Sequence, residues 1–315
     1  MTTPRRHHYV TKSYLQGFCT GPVQKKKFWT YDLEQRKWRR SQPINEAVEK
    51  DFQKLDHFIG LDPYFLEKEF GEIEGLAVEV IRKIILNKRL PPTIKEFSPV
   101  INLMGILAGR NLVTRKMVDE LYKQTSLKTL ALILANENTY YGQMKKAQAA
   151  GEIQEPITPY QEAKDFFDSR KFKIETDPSV IVEHLAKGAV QIVDLLGCRS
   201  WMLVESAGIQ FITSNKPVNA IWAIGFLPFV PGFGLINSLV TFPIAPNLAL
   251  LGSWSPLPAY RLIDSLVVEG INWATACTGA TMIYAQDQTA MPIFQGVSHL
   301  QDFHRLLPTR LIQSA

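Results

Sequence analysis

Between Lys216 and Arg261 the chain runs for 44 consecutive residues without a single Asp, Glu, Lys or Arg. Such a run is either buried in protein or dissolved in lipid. Lipid demands about 20 unbroken apolar residues in a helix, because nothing else there satisfies the backbone. This run is broken by Pro217, Pro228, Pro231, Pro243, Pro246, Pro256 and Pro258, and by Gly225, Gly232, Gly234 and Gly252. Each proline deletes a backbone donor, so the spacing predicts buried strands and loops and no membrane span. The expected strands are Trp201–Glu205, Ile209–Thr213, Val218–Trp222, Ser238–Phe242 and Leu248–Gly252, bounded by Gly, Pro and Asn. Residues 225–234, with Phe226, Phe229 and Phe233, are core if buried and a patch for a protein partner if exposed.

The middle of the chain has a different period. Phe65, Phe70, Ile73, Leu76, Val80 and Ile84 recur every three or four residues, which predicts a helix over 63–87 ended by Pro91 and Pro92. Further helices are expected over 95–124, 126–150, 160–170, 179–196 and 260–284, with a short one over 298–306. Asp177 is the expected cap of the helix that Pro178 opens. Lys26–Tyr31 and Trp38–Ser41, joined by turn residues, predict a hairpin. Helices in the middle and strands in the later third indicate an α+β class: an N-terminal β-hairpin, a helical middle and a small, mostly antiparallel sheet. We expect one α+β domain over 1–315, the natural subdivision being 1–155 and 156–315. Cys19, Cys198 and Cys277 are too few and too scattered for a disulfide framework. The first residues have no apolar stretch of signal-peptide length, so a cytoplasmic location is expected.

Charge is uneven. Residues 1–40 hold ten Lys/Arg against Asp32 and Glu34, or +8 of a whole-chain +5, which leaves −3 for the rest. Lys25, Lys26, Lys27, Arg36, Lys37, Arg39 and Arg40 flank Phe28, Trp29, Tyr31 and Trp38. Cations neutralise phosphates and rings stack on unpaired bases, so residues 25–40 are a candidate nucleic-acid surface led by Lys26, Trp29, Arg39 and Arg40. The competing reading is a solvated hairpin whose charges guard its edge.

Adjacent His7 and His8 could serve as general base or acid, or hold a divalent metal if a turn lets both converge. On a strand they point to opposite faces. Glu72 and Glu74 lie about 200° apart on a helix, and Glu74, between Ile73 and Gly75, is the preferred buried partner. Gly75 is read as admitting a close backbone. Arg110 sits inside an apolar run and must reach water or a carboxylate; Glu74 is a candidate partner, and an anionic substrate is the functional alternative. Ser214 and Asn215 form a polar turn before Lys216-Pro217 that could present a hydroxyl and amides to a ligand. The sequence lacks a G-x-S-x-G elbow, a phosphate-binding glycine loop, a dinucleotide fingerprint and H-E-x-x-H. Two functions follow. One is a metal- or acid/base-dependent hydrolase of nucleic acid or another phosphodiester, using His7, His8, Glu74 and Arg110. The other is a non-catalytic binding or regulatory module in which the same residues form a structural network.

The opening His7-His8-Tyr9-Val10, with Tyr14, Leu15 and Phe18 behind it, resembles the first motif of the uncharacterised family called domain of unknown function 4238. The hairpin pairs Tyr31-Asp32 and Lys37-Trp38, the segments 48–52, Glu72–Gly75, 211–218 and Ile271-Asn272 resemble its later blocks in order. The resemblance spans residues 7 to about 285 and implies no reaction. Thr11, Gln53 and Asn215 stand where the family often has Pro, Tyr and Asp. Asn215 thus lacks the charge of a strong metal ligand.

Overall fold

The computed structural model describes residues 6–21, 26–50, 52, 65–153, 156–223 and 230–290. The chain opens with β1 (Arg6–His8) and the short α1 (Lys12–Leu15), followed by β2 (Phe28–Asp32), β3 (Lys37–Ser41) and β4 (Val48–Lys50). Six helices follow: α2 (Phe65–Asn87), α3 (Ile94–Gly109), α4 (Leu112–Ile133), α5 (Glu137–Ala149), α6 (Tyr160–Asp168) and α7 (Pro178–Gly197). Then come β5 (Ser200–Ser206), β6 (Thr213–Ser214), β7 (Asn219–Trp222), β8 (Ser238–Ala245), β9 (Leu248–Ser253), β10 (Tyr260–Ile263), α8 (Ser265–Cys277) and β11 (Met282–Ala285). The class is α+β.

The charge-free run supplies three adjacent strands, β9, β8 and β7, of a five-stranded sheet ordered β10-β5-β9-β8-β7, antiparallel except where β10 lies parallel to β5. Its lack of charge has a direct cause, because both faces of this sheet are covered. Leu203, Val240, Phe242, Ile244, Leu248 and Leu250 pack with α2 and α3 residues such as Ile81, Ile84, Val100 and Met104. Met202, Val204, Leu239, Ala249 and Leu251 pack with Val267, Val268 and Ile271 of α8. A sheet buried on both sides loses the polar alternation of a half-exposed one. Pro243 is tolerated inside β8 because the register shifts at Pro243/Ala245, and its carbonyl accepts the Tyr14 hydroxyl at 2.6 Å.

A four-stranded sheet, β3-β2-β11-β6, joins the N-terminal hairpin to strands from the later third of the sequence. β1 and β4 form a separate antiparallel pair, with His7 opposite Glu49 and His8 opposite Val48.

Several sequence expectations need correction. Residues 95–124 are not one helix. The chain breaks at Arg110 (φ −101°, ψ 65°), and the Asn111 side chain caps α4 by accepting from Thr114 N at 2.9 Å. α4 then continues to Ile133, since no breaker stands near 125, and α5 starts only after Asn136 caps it through Thr139 N at 2.8 Å. The expected 260–284 helix is strand, helix and strand: Asp264 caps α8 through Val267 N at 3.0 Å, and β10 and β11 satisfy their backbones in two different sheets. The 209–213 strand shrinks to β6. Its upstream backbone is held instead by Asn272, whose Oδ1 accepts from Ile212 N at 3.0 Å and whose Nδ2 donates to Gln210 O at 2.7 Å. The 298–306 helix, residues 63–64 and 225–229 lie outside the described residues. Among the described residues no helix is long and apolar enough to cross a membrane.

Candidate functional site

Glu74 sits mid-α2, and Arg110 sits at the α3–α4 break, where the chain direction changes and a long side chain can turn back toward α2. Arg110 Nη2 donates to Glu74 Oε1 at 2.6 Å and to the His8 carbonyl at 3.1 Å. The guanidinium lies 4.8 Å from the centre of the Phe70 ring. The side chains of Arg110 and Glu74 are 5% and 17% exposed, so the pair is largely shielded from water. Three of the four expected residues, His8, Glu74 and Arg110, therefore meet in one place. His7 is buried beside them in β1 and acts electrostatically on Glu67.

Glu67 is the residue the sequence reading missed. Glu67, Phe70 and Glu74 are three and seven residues apart, which places them on one stripe of α2. Burial pushes the Glu67 carboxyl above its ordinary range. The Arg110 guanidinium and His7 oppose that push, and Glu74 adds to it. His8 moves the other way. Burial lowers its imidazole, opposed by Glu74 and by the carbonyls of Ile44 and Pro43, while Lys12 adds to the lowering. Its Nε2 is buried without a hydrogen-bond partner. Glu67 Oε2 and Arg110 Nε are likewise buried without a partner. Buried polar atoms in folded proteins are almost always paired. Of the nine buried side-chain atoms left unpaired among the described residues, three belong to Arg110 or to residues that interact electrostatically with the Arg110–Glu74 pair.

Among the described residues no group of three His, Cys, Asp or Glu is placed to hold a metal ion. His7 and His8 lie in a strand, whose alternation separates neighbouring side chains, and Glu74 is engaged by Arg110. The donor set thus suits proton transfer better than coordination. Gly75 does not admit a close backbone, as a Cβ there would meet nothing within 4 Å.

The remaining expected residues lie elsewhere. Ser214 Oγ accepts from Lys216 N at 3.1 Å and donates to Lys216 O at 2.8 Å, which closes its own turn. Asn215 fastens that turn to β11: Oδ1 accepts from Thr281 N at 3.0 Å and Met282 N at 3.2 Å, and Nδ2 donates to Thr281 Oγ1 at 2.7 Å. It also opposes the upward push of burial on the hydroxyl of Tyr9, the residue after His8. Arg39 is matched by buried Glu46 through both guanidinium nitrogens, Nη2–Oε2 being 2.9 Å. That pair ties the hairpin to the 43–47 segment whose carbonyls face His8. Arg40 lies 5.2 Å over the Trp29 ring and donates to Thr20 Oγ1 at 3.4 Å. Lys26 lines a small pocket near α1.

A stability consequence follows from Glu67. A carboxyl whose folded-state pKa is raised contributes stability at low pH that disappears as pH rises through that value. Glu67→Gln therefore raises the Tm at pH 7 relative to the native chain, and the advantage vanishes near pH 4. Paired thermal melts at the two pH values check this; an unchanged or lower Tm at pH 7 contradicts it.

A family model described as "Protein of unknown function (DUF4238)" matches residues 6–289. No curated protein and no solved structure matches the chain.

Proposed function

The chain belongs to the DUF4238 family, whose description assigns no reaction, and on that premise we propose that the His8–Glu67–Arg110 cluster is an acid–base hydrolytic site for a phosphodiester. The observation that carries this reading is that His8 Nε2, Glu67 Oε2 and Arg110 Nε are each buried without a hydrogen-bond partner, while His8 and Glu67 each interact electrostatically with the Arg110–Glu74 pair. Burial pushes the His8 imidazole down and the Glu67 carboxyl up, which moves the base and the acid toward a shared pH window. His8 Nε2 takes the proton from water as its oxygen attacks phosphorus. Glu67 gives its proton to the departing oxygen, and Arg110 offsets the charge that builds on the phosphoryl group. The proton on His8 then returns through solvent to Glu67, and the site is restored. Glu74 is a positioning residue that holds the guanidinium.

The test is hydrolysis of bis(p-nitrophenyl) phosphate and of single-stranded DNA with EDTA present. Wild type cleaves at least one of them, and His8→Gln, with its Tm unchanged, loses about 100-fold or more of the rate. Absence of cleavage by the native chain, or full activity in a folded His8→Gln, would overturn the assignment. One observation favours a non-catalytic module instead. Arg110 binds Glu74 and the His8 carbonyl and stacks on Phe70, which fastens β1 to the α2–α3 layer. That reading wins if His8→Gln and Glu67→Gln change stability alone.

A further inference from the structure

Between α1 and α2 lies a cavity of about 180 Å³. Its floor is apolar, built from Val78, Ile244 and the Tyr14 ring, and its rim is polar, built from Ser13, Gln16, Lys26 and Arg82. Lys26 and Arg82 have no ion-pair partner among the described residues. Lys83, Lys88 and Lys123 do have such partners, whereas both charges at the cavity are left available to an anionic ligand.

Lys26 at the cavity precedes the hairpin strand β2 by two residues. Lys26 and Arg40 both act on Cys19 and oppose the effect of burial on its thiol. Arg40 donates to Thr20 and lies over Trp29. Trp29 belongs to none of the hydrophobic clusters of the described residues, while its neighbours Tyr31 and Trp38 pack on one. Its ring meets Trp38 edge-on at 6.2 Å and is only half-buried. Lys26 and Trp29 are three residues apart, at most about 11 Å along the chain. The strip is therefore a pocket with an apolar floor, cations at its lip, and a cation-backed ring a short step away.

We propose that this strip, Arg82 and Lys26 at the cavity with Trp29 and Arg40 beyond it, binds single-stranded nucleic acid. One base enters the cavity with its phosphate against Lys26 and Arg82, and a neighbouring base stacks on Trp29. A free phosphate would have no use for the apolar floor or the ring. A duplex would present its bases to neither. The proposal rests on the phosphodiester reading above, and it names the substrate class that would reach that site.

The experiment uses the full chain and a fluorescein-labelled, phosphorothioate-linked oligothymidylate of about ten nucleotides, within the usual site size for such surfaces. Fluorescence anisotropy is followed from low to high salt. The native chain binds it and prefers it to a duplex of equal length. Trp29→Ala weakens binding about tenfold or more, the loss of one stacked base. Arg82→Gln and Lys26→Gln each lower the slope of log K against log salt by about 0.7, the release expected for one phosphate contact on a single strand. Millimolar inorganic phosphate does not displace the strand.

Equal binding of the duplex, unchanged affinity in Trp29→Ala or unchanged slopes in both cation variants would each overturn the proposal. Displacement by inorganic phosphate would also overturn it and assign the cavity to a free anion. Melting curves of the three variants, all changed at the surface, show that they fold. Cleavage of the small diester without strand binding removes this proposal alone, and strand binding without cleavage removes the hydrolase alone.

Discussion

Arg110→Met lowers the unfolding free energy at neutral pH by about 3–5 kcal/mol, the cost of leaving the partner of a buried ion pair uncompensated. The size of the effect comes from what Arg110 holds. Its guanidinium binds Glu74, accepts the stacking of Phe70 and satisfies the His8 carbonyl. Without it, Glu74 and Glu67 face each other across a buried space with no cation between them. Urea unfolding of Arg110→Met, Glu74→Gln and the double variant gives the coupling. We expect the double variant to recover part of the loss, because it removes the orphaned charge as well. The deficit also shrinks on acidification, since protonated carboxyls no longer repel. A loss under about 1 kcal/mol would be typical of an exposed pair and would place the arginine in water. Arg110→Lys does not rescue the site, because an ammonium cannot stack flat on Phe70 while it reaches both oxygens.

The second large effect lies behind that site, where α3 meets α7. A Cβ on Gly105 would sit 2.4 Å from Val193 Cγ2 and 3.0 Å from Ala189 O, and one on Gly109 would sit 3.1 Å from Ala189 Cα. Two glycines four apart on one helix face Ala189 and Val193, four apart on the other, so the backbones nearly touch. Gly109→Leu must push the helices apart or force strained rotamers, which costs about 1–3 kcal/mol or more. It also moves Arg110, the next residue, off Glu74. The contrast is Gly75→Ala. That glycine lies mid-helix with open space around it, so alanine stabilises α2 by roughly 0.5–1 kcal/mol. Denaturant midpoints of the two variants should move in opposite directions. A Gly109→Leu variant as stable as the native chain would mean that α3 and α7 are not in backbone contact.

Much of this architecture is legible in the residues, for reasons that can be named. The charge-free run says that its strands are covered on both faces, and Val240, Leu250 and Leu251 fall on the two cores it implies. Asp177 and Pro178 mark the start of α7 because capping chemistry is local: Asp177 Oδ1 accepts from Ser179 N at 2.8 Å. The Arg110–Glu74 pair is legible because an arginine in an apolar run must find a carboxylate.

What escapes the sequence is set by tertiary competition. Tyr260–Ile263 and Met282–Ala285 carry residues that suit a helix or a strand, and only the open edges of β5, β2 and β6 make them strands. The break at Arg110 depends on Asn111 acting as a cap, although Asn is common in helix interiors too. Glu67 is missed because its helical stripe begins where the sequence offers no clear cap, although its spacing from Glu74 carries the signal. Arg39 reads as a free cation until the fold brings Glu46 to it.

The pH dependence of kcat/KM on a small phosphodiester, measured with EDTA present, reads the proposed roles separately. His8 must be neutral to take a proton, and its pKa lies below the ordinary 6.5, so activity rises with pH on the acid side of that value. Glu67 must be protonated to give one, and its pKa lies above the ordinary 4.5, so activity falls again as pH climbs beyond its raised value. The two limbs belong to the coupled pair, and together they give a bell. Glu67→Gln abolishes the falling limb along with most of the rate, and His8→Gln abolishes the rising one. A profile flat from pH 5 to 8, or one whose limbs survive both substitutions, would contradict a hydrolytic site built on this pair.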